Sequence, residues 1–300
     1  MSSPDFVPHY ALVQREGSVP VAWMLVLHGI FGSGANWRTF ARRLSNDCPE
    51  WGFVLVDLRG HGLTPHASPP NTIAAAADDL VRLEALLGEP AQGRPALRIT
   101  GVSGHSFGGK VALAYLAHRS GAPLDQAWVL DANPGARSES PGGDSTARVL
   151  GALELMPEQI ASREHFIELI EEQGHTHAIA AWLAMNLRRE GDGYRFRLDL
   201  GALRALLNDY FATDLWPVIE RPDPRRARVL HVVVGGRSEM FGPESRARLE
   251  AAAVAPLVRA HVLDKAGHWL HVDDFDGLYA LFRAELAASP VALGSPAASR

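Results

Sequence analysis

Residues Ala96 to His118 read ALRITGVSGHSFGGKVALAYLAH, and this stretch decides the fold. An apolar run, Ala96 to Val102, gives way to Gly104-His105-Ser106-Phe107-Gly108, and a helical run, Lys110 to Ala117, follows. Where a strand turns sharply into a helix, the residues two before and two after the tip approach so closely that side chains would collide. Glycine at 104 and 108 removes that collision. The serine between them would stand at a strained tip, at the amino end of a helix whose free N–H groups can stabilise a developing negative charge. Alone, G-x-S-x-G recurs by chance and is a turn with a solvated serine; the strand before it and the helix after it give it weight.

The same residues nearly spell a second motif. Gly104 to Val111 reads G-x-x-x-x-G-K-V, and a phosphate-binding loop needs Ser or Thr after the lysine to hold Mg²⁺. Val111 cannot do so, and several strands precede the segment, so a P-loop-like nucleotide-binding enzyme is the weaker alternative.

Outward from this elbow, short apolar runs alternate with helical patterns, which argues for an α/β fold: a mostly parallel sheet with helices on both faces. His9 to Arg15 and Val21 to Leu27 read as an opening pair of strands; Gly52 to Leu58, Gln126 to Asp131, Val229 to Val234 and Arg259 to Leu263 complete the set. Trp37, Phe40, Ala41 and Leu44 share one helix face, as do Phe275, Leu278, Tyr279 and Phe282. Asn71 and Thr72 offer a cap for a helix that Gly88 would stop. The rhythm breaks between Asn133 and about Trp216, which reads as a helical cap inserted into the core. Residues 1–132 and 217–288 would form that core, 133–216 the cap and 289–300 a disordered tail. The cap would open on a mobile Gly, Ser and Pro loop, Asn133 to Ser145. Within it, Phe166, Ile167, Leu169 and Ile170 suggest one helix, Ile179, Trp182, Leu183 and Leu187 the stripe of another, and Tyr194 to Leu200 a short extended piece.

Composition narrows the partners. The 300 residues are 47% hydrophobic and 21% charged, and 29 Lys and Arg against 34 Asp and Glu leave a formal charge of −5 with no basic block, which argues against nucleic acid. Cys48, the single cysteine, permits no intrachain disulfide and fits a reducing compartment. The opening Met1 to Phe6 has no secretory character, and the longest apolar run, Val21 to Leu27, is far short of the ~20 residues that span a bilayer. The reading is cytoplasmic, with a small-molecule partner.

An activated serine needs a base and a group that orients the base. Of the 13 histidines, His268 stands out, because Ala266-Gly267-His268-Trp269 follows the last strand at the edge where the elbow lies. His271 is the second choice; His61, His118, His165 and His231 read as surface or packing residues. His175 and His177 suggest a metal, but no acidic partner spacing supports one. For the acid, Asp131 and Glu239 compete, each after a core strand and each giving the order Ser, acid, His. Asp131 is favoured, because it sits where an apolar strand meets a turn, a costly place for an unpartnered charge. His28 to Gly34 is a glycine-rich loop after a strand; the backbone N–H of Ile30, with that of Phe107, would form an oxyanion hole, and His28 would tie the loop. Phe31, His105 and Trp182 are candidate pocket residues.

Together these residues resemble the α/β-hydrolase superfamily from Tyr10 to Leu286, apart from the insertion. The pieces stand in order: His28-Gly29, Asp57-Leu-Arg59-Gly60-His61-Gly62, Gly104 to Gly109 and Ala266 to Trp269. HGIFGSGANW, GHSFGGK, VLDANPG, GGRSEMF and AGHWLHVD look like the branch of small esterases that includes the bacterial YbfF type. That resemblance implies Asp131 as the acid and an assisting role toward the histidine for Ser238. Other branches place the acid where this chain has Glu239, and Thr64 stands where the pattern has Ser. The implied activity is hydrolysis of an acyl ester or thioester through Ser106, His268 and Asp131, with no metal or organic cofactor. A receptor that binds without turnover is the alternative, and covalent labelling by a fluorophosphonate separates the two.

Overall fold

Seven of the apolar runs meet in one sheet, in the computed structural model that describes residues 6–64, 67–136 and 146–291. Its strands are β1 (Tyr10–Val13), β2 (Ala22–Leu27), β3 (Trp51–Val56), β4 (Ile99–His105), β5 (Gln126–Leu130), β8 (Leu230–Gly235) and β9 (Val258–Leu263), and a separate hairpin joins β6 (Leu187–Glu190) to β7 (Gly193–Phe196). The order is β1-β3-β2-β4-β5-β8-β9, parallel except for β1. Strands β2, β3, β4, β5 and β8 are buried at every position, as strands covered on both faces must be.

The helices are α1 (Arg38–Asp47), α2 (Ile73–Gly88), α3 (Phe107–His118), α4 (Thr146–Glu154), α5 (Arg163–Glu172), α6 (His177–Leu183), α7 (Leu200–Ala212), α8 (Trp216–Glu220), α9 (Pro243–Ala252), α10 (Leu270–Asp273) and α11 (Phe275–Ala287). Alternate residues of β2 face opposite ways, and two apolar clusters result. Met24 and Val26 join Phe40, Leu44 and Phe282 of α1 and α11, whereas Leu25 and Leu27 join Leu80 and Val111 of α2 and α3. Thr72 caps α2 by accepting the Ala75 N–H at 3.1 Å, and α2 stops at Gly88, as the sequence suggests. Among the described residues no helix is long and apolar enough to cross a membrane.

Four local expectations change. The opening strands do not pair with each other, since β3 lies between them and bonds β1 antiparallel, Tyr10 opposite Val56. The wholly buried β2 needs neighbours on both sides, whereas half-buried β1 tolerates the edge. Strand β4 begins at Ile99 and runs on through His105, because the Leu97 N–H is taken by Leu87 O at 2.8 Å. Leu187 does not share a helix face with Ile179, Trp182 and Leu183: α6 ends at Leu183, Ala184–Asn186 tightens into a 3₁₀ turn, and Leu187 opens β6 opposite Phe196. The extended piece is β7, four residues shorter at its far end than read, because Leu200 already starts α7. Residues 137–145 of the expected loop, 292–300 of the expected tail and 1–5 lie outside the described residues; Ser289 is buried and donates its N–H to Leu286 O at 3.2 Å.

One buried ion pair fixes the loop after β3 to α2. Arg59 Nε and Nη2 meet the two Asp79 oxygens at 2.7 and 2.8 Å, and Nη1 donates to Pro70 O at 2.6 Å. Both side chains are nearly inaccessible to solvent. Burial pushes the Asp79 carboxyl upward against the pull of Arg59 and Arg82. Arg59→Met strips this carboxylate of its bidentate partner, and removal of one member of a buried pair costs about 3–5 kcal/mol. Urea denaturation of the variant should show a loss of that size; a loss below about 1 kcal/mol would mean that Arg82 alone satisfies Asp79.

Candidate active site

Ser106 follows the last residue of β4 and precedes the first of α3, with φ 52° and ψ −118°. The turn is as tight as the sequence demands. A Cβ on Gly104 would lie 2.0 Å from Gly108 O, and one on Gly108 would lie 2.6 Å from His28 O. The Ser106 N–H is held by Leu130 O of the neighbouring strand at 2.9 Å.

Asp131 leaves β5 with φ 44°, fully buried. Its Oδ1 accepts the Gly235 N–H at 3.0 Å, and its Oδ2 accepts both the Ser238 hydroxyl and the His268 Nδ1–H, the latter at 2.7 Å. His268 Nε2 then faces Ser106 Oγ at 3.0 Å and accepts its proton-bearing hydroxyl. Glu239 is exposed at the rim of the cavity and makes no hydrogen bond to His268, so the carboxylate within reach of the imidazole is that of Asp131. Ser238 touches the acid rather than the histidine.

The glycine-rich loop is held from beneath by groups that sequence reasoning undervalued. His28 Nδ1–H donates to Gly29 O at 2.7 Å and Nε2 accepts the Leu58 N–H at 3.0 Å, so this ring ties the loop as expected. His61, read as a surface or packing residue, is buried and accepts the Phe31 N–H on Nε2 at 3.2 Å. Asp57 takes the N–H groups of Gly34 and Leu63, each at 2.8 Å. Both residues sit in the Asp57 to Gly62 motif, which was the available signal. Thr64 keeps the hydroxyl of the serine it replaces, donating to Asp57 O and accepting the His9 N–H at 3.0 Å. Among the described residues the Ile30 N–H has no protein acceptor, and Phe107 opens α3, where helical N–H groups lack intrahelical partners.

These elements border a cavity of about 760 Å³. Ile30, Phe31, Ser106 and His268 line it together with Val149, Ile179, Trp182 and Phe211 from the segment between β5 and β8. Trp182 meets Phe31 edge-on at 6.2 Å and Trp269 at 4.6 Å. His105 also lines the cavity and donates Nε2–H to His268 O at 2.7 Å, fixing the backbone of the loop that carries the imidazole. His271 packs against Trp37 in a tilted pair with ring centroids 4.4 Å apart, and it is His268 that bonds Ser106 and Asp131. His231 stacks on Trp128 at 3.8 Å, His118 pairs with Asp78, and His177 pairs with Glu171 at the surface while His175 is buried. His165 Nδ1 is buried within α5.

Lys110 disposes of the phosphate-loop alternative. Its buried ammonium donates to Gly135 O, Tyr210 O and Thr213 O at 2.9, 2.5 and 2.8 Å, joining α3 to both ends of the segment between β5 and β8. A lysine so engaged does not reach for phosphates. Cys48 is buried, and burial pushes its thiol up to about 11, so it is no rival nucleophile.

A profile of the Alpha/beta hydrolase family matches residues 24–281. The sn-1-specific diacylglycerol lipase ABHD11 of Xenopus tropicalis is 26% identical over 266 residues, 86% of this chain and 76% of that protein. Esterase YbfF of Escherichia coli (strain K12) is 27% identical over 269 residues, 88% of this chain and 92% of that protein. A marine microorganism esterase has the same fold, with a TM-score of 0.73 at 20% identity over 92% of this chain and 98% of the other.

The histidines around the site have a measurable consequence. Burial pushes His61 down to about 3 and His271 to about 4, and it also lowers His28 and, well below its usual range, His105. In the unfolded chain each titrates near the usual value of about 6.5. Below that pH the unfolded chain binds protons that the fold refuses, so this stability is fully present above about 6.5 and is lost as pH falls toward the folded values. Each group contributes up to about 1.4 kcal/mol per pH unit. Urea midpoints should therefore fall between pH 6.5 and 5, and His61→Gln should remove one proton from the slope. An unchanged slope would mean that His61 titrates in the folded protein.

Proposed function

Because this chain belongs to the alpha/beta hydrolase family, we propose that it is a serine hydrolase of carboxylic esters, acting on a small-molecule ester or thioester through an acyl-enzyme on Ser106. Its esterase and lipase relatives support ester hydrolysis. The observation that carries the finer reading is the unbroken chain from Ser106 Oγ to His268 Nε2 at 3.0 Å and from His268 Nδ1 to Asp131 Oδ2 at 2.7 Å.

Ser106 Oγ attacks the carbonyl carbon as its proton passes to His268 Nε2, and the carbonyl π pair becomes an oxyanion. The N–H groups of Ile30 and Phe107 receive that charge. Asp131 holds the imidazole in the tautomer with Nε2 free, then stabilises the imidazolium. Ser238 and the Gly235 N–H leave the carboxylate oriented rather than free to rotate. Collapse of the tetrahedral intermediate expels the alcohol or thiol, which takes the proton from Nε2; water then repeats the sequence on the acyl-enzyme. The strained backbone at Ser106 favours turnover over a purely binding role, because strain of about 1–3 kcal/mol is kept only where the surroundings enforce it. Residues 133–216 act in this reading as a cap whose apolar face shields the oxyanion hole from water and receives the acyl chain. The buried, single cysteine fits a reducing, cytoplasmic setting.

Ser106→Ala should lower kcat by roughly 10⁴ to 10⁶ with the fold intact, and a fluorophosphonate should add its mass to Ser106. Retention of a tenth of the activity, or modification elsewhere, rejects the nucleophile. Asp131→Asn should cost about 10⁴ in rate while Glu239→Gln stays near wild type; the reverse result would make Glu239 the acid. Trp182→Ala should reorder the preference among acyl chain lengths in kcat/KM, since a methylene in a fitted pocket is worth ~1–3 kcal/mol. Equal losses on every chain length, with a lower melting temperature, would reduce Trp182 to a packing residue.

A further inference from the structure

The loop that presents the Ile30 N–H passes through Phe31, whose φ of 62° is unfavourable for a residue with a Cβ. Such a backbone persists only where its surroundings hold it. His61 Nε2 takes the Phe31 N–H at 3.2 Å, and Trp182 meets the ring edge-on. The third support comes from 155 residues away: Asn186 Nδ2 donates to Phe31 O at 2.8 Å. Asn186 is 6% exposed and ends the 3₁₀ turn between α6 and β6. That turn is itself braced. Arg163 donates to the carbonyls of Ala184 and Leu187, the Arg197 N–H bonds Asn186 O at 3.0 Å, and Asn186 Nδ2 also reaches Leu183 O at 3.3 Å.

We infer that Asn186 is a positioning residue through which the inserted segment aims the oxyanion-hole N–H of Ile30, an inference that rests on the acyl-transfer reading above. The path runs through two rigid peptide planes. Phe31 C=O and Gly32 N–H belong to one plane; Asn186 holds its oxygen, and its N–H donates to Gly29 O at 3.1 Å. Gly29 C=O and Ile30 N–H belong to the next plane, whose oxygen also accepts the His28 Nδ1–H at 2.7 Å. With both oxygens held, the Ile30 N–H on the far side of the second plane has one direction. Without the Asn186 donor, a buried carbonyl is left unpaired and the first plane turns to find a new partner. The Gly32 N–H leaves Gly29 O as it turns, and the oxyanion donor loses its aim. A hydrogen bond made only to the transition state is sensitive to such misplacement, whereas ground-state binding in the apolar cavity is not.

The test uses the full chain, p-nitrophenyl butyrate as substrate, and an alkyl boronic acid that forms a tetrahedral adduct on the serine. Fluorophosphonate labelling of wild-type Ser106 is measured first, and its absence overturns the acyl-transfer reading itself. Removing a whole oxyanion donor costs about 10² to 10³ in rate, so misaiming one should lower kcat in Asn186→Ala about 10- to 10²-fold. KM should stay within about twofold, and the boronate inhibition constant should rise by the same factor as kcat/KM falls. If Asn186→Ala does not fold, the near-isosteric Asn186→Asp, which turns the donor into an acceptor facing Phe31 O, carries the comparison. A labelled wild type beside a folded variant with unimpaired kcat, or with a change in KM alone and unchanged boronate inhibition, overturns the role of Asn186 only.

Discussion

The close approach of the backbone at Gly104 and Gly108 is the constraint on which the rest depends. Because no side chain fits between those residues, β4 can pass into α3 with a single residue at the tip, and that residue is Ser106. The neighbours of β4 in the sheet are β2 and β5. One delivers the loop that carries Ile30, the other delivers Asp131, and β8 beside β5 supplies the Gly235 N–H that steadies the carboxylate. Ligand sites gather at the carboxyl ends of strands in such sheets because the loops from adjacent strands converge there.

Non-glycine residues with positive φ among those described are Phe31, Ser106 and Asp131, and all three lie at this one edge. Strain concentrated there has to be offset nearby. The compensation is visible as hydrogen bonds on each strained peptide: Leu130 O on the Ser106 N–H, Val233 O on the Asp131 N–H, and His61 with Asn186 on the two ends of Phe31. The partners are two backbone carbonyls, one buried imidazole and one buried side-chain amide. Neutral partners suit strained peptides beside a site where charge develops during reaction, because they hold the backbone without adding charges of their own.

The elbow, the sheet class, most helices and the residues that could form a serine, acid and histidine set were legible in the sequence, because each rests on short-range physics. A steric collision between residues four apart, an apolar period and a threonine cap need no knowledge of distant partners. The relations that escaped a linear reading join residues far apart in the chain. Asp131 and Glu239 both follow core strands, and only the folded positions bring Asp131 Oδ2 to 2.7 Å from His268 Nδ1 while Glu239 faces solvent at the rim. His61 looked like a bystander until Phe31, 30 residues earlier, appeared above it, and Asn186 carried no local signal at all. Leu187 kept a helical spacing with Ile179 and Leu183 yet left the helix, since pairing with Phe196 outweighed one more turn. Sequence alone determined which short segments must bend, coil or extend. The tertiary structure decided which distant side chain satisfies which strained or buried group, because hydrogen bonds act over about 3 Å and strand order sets who comes that near.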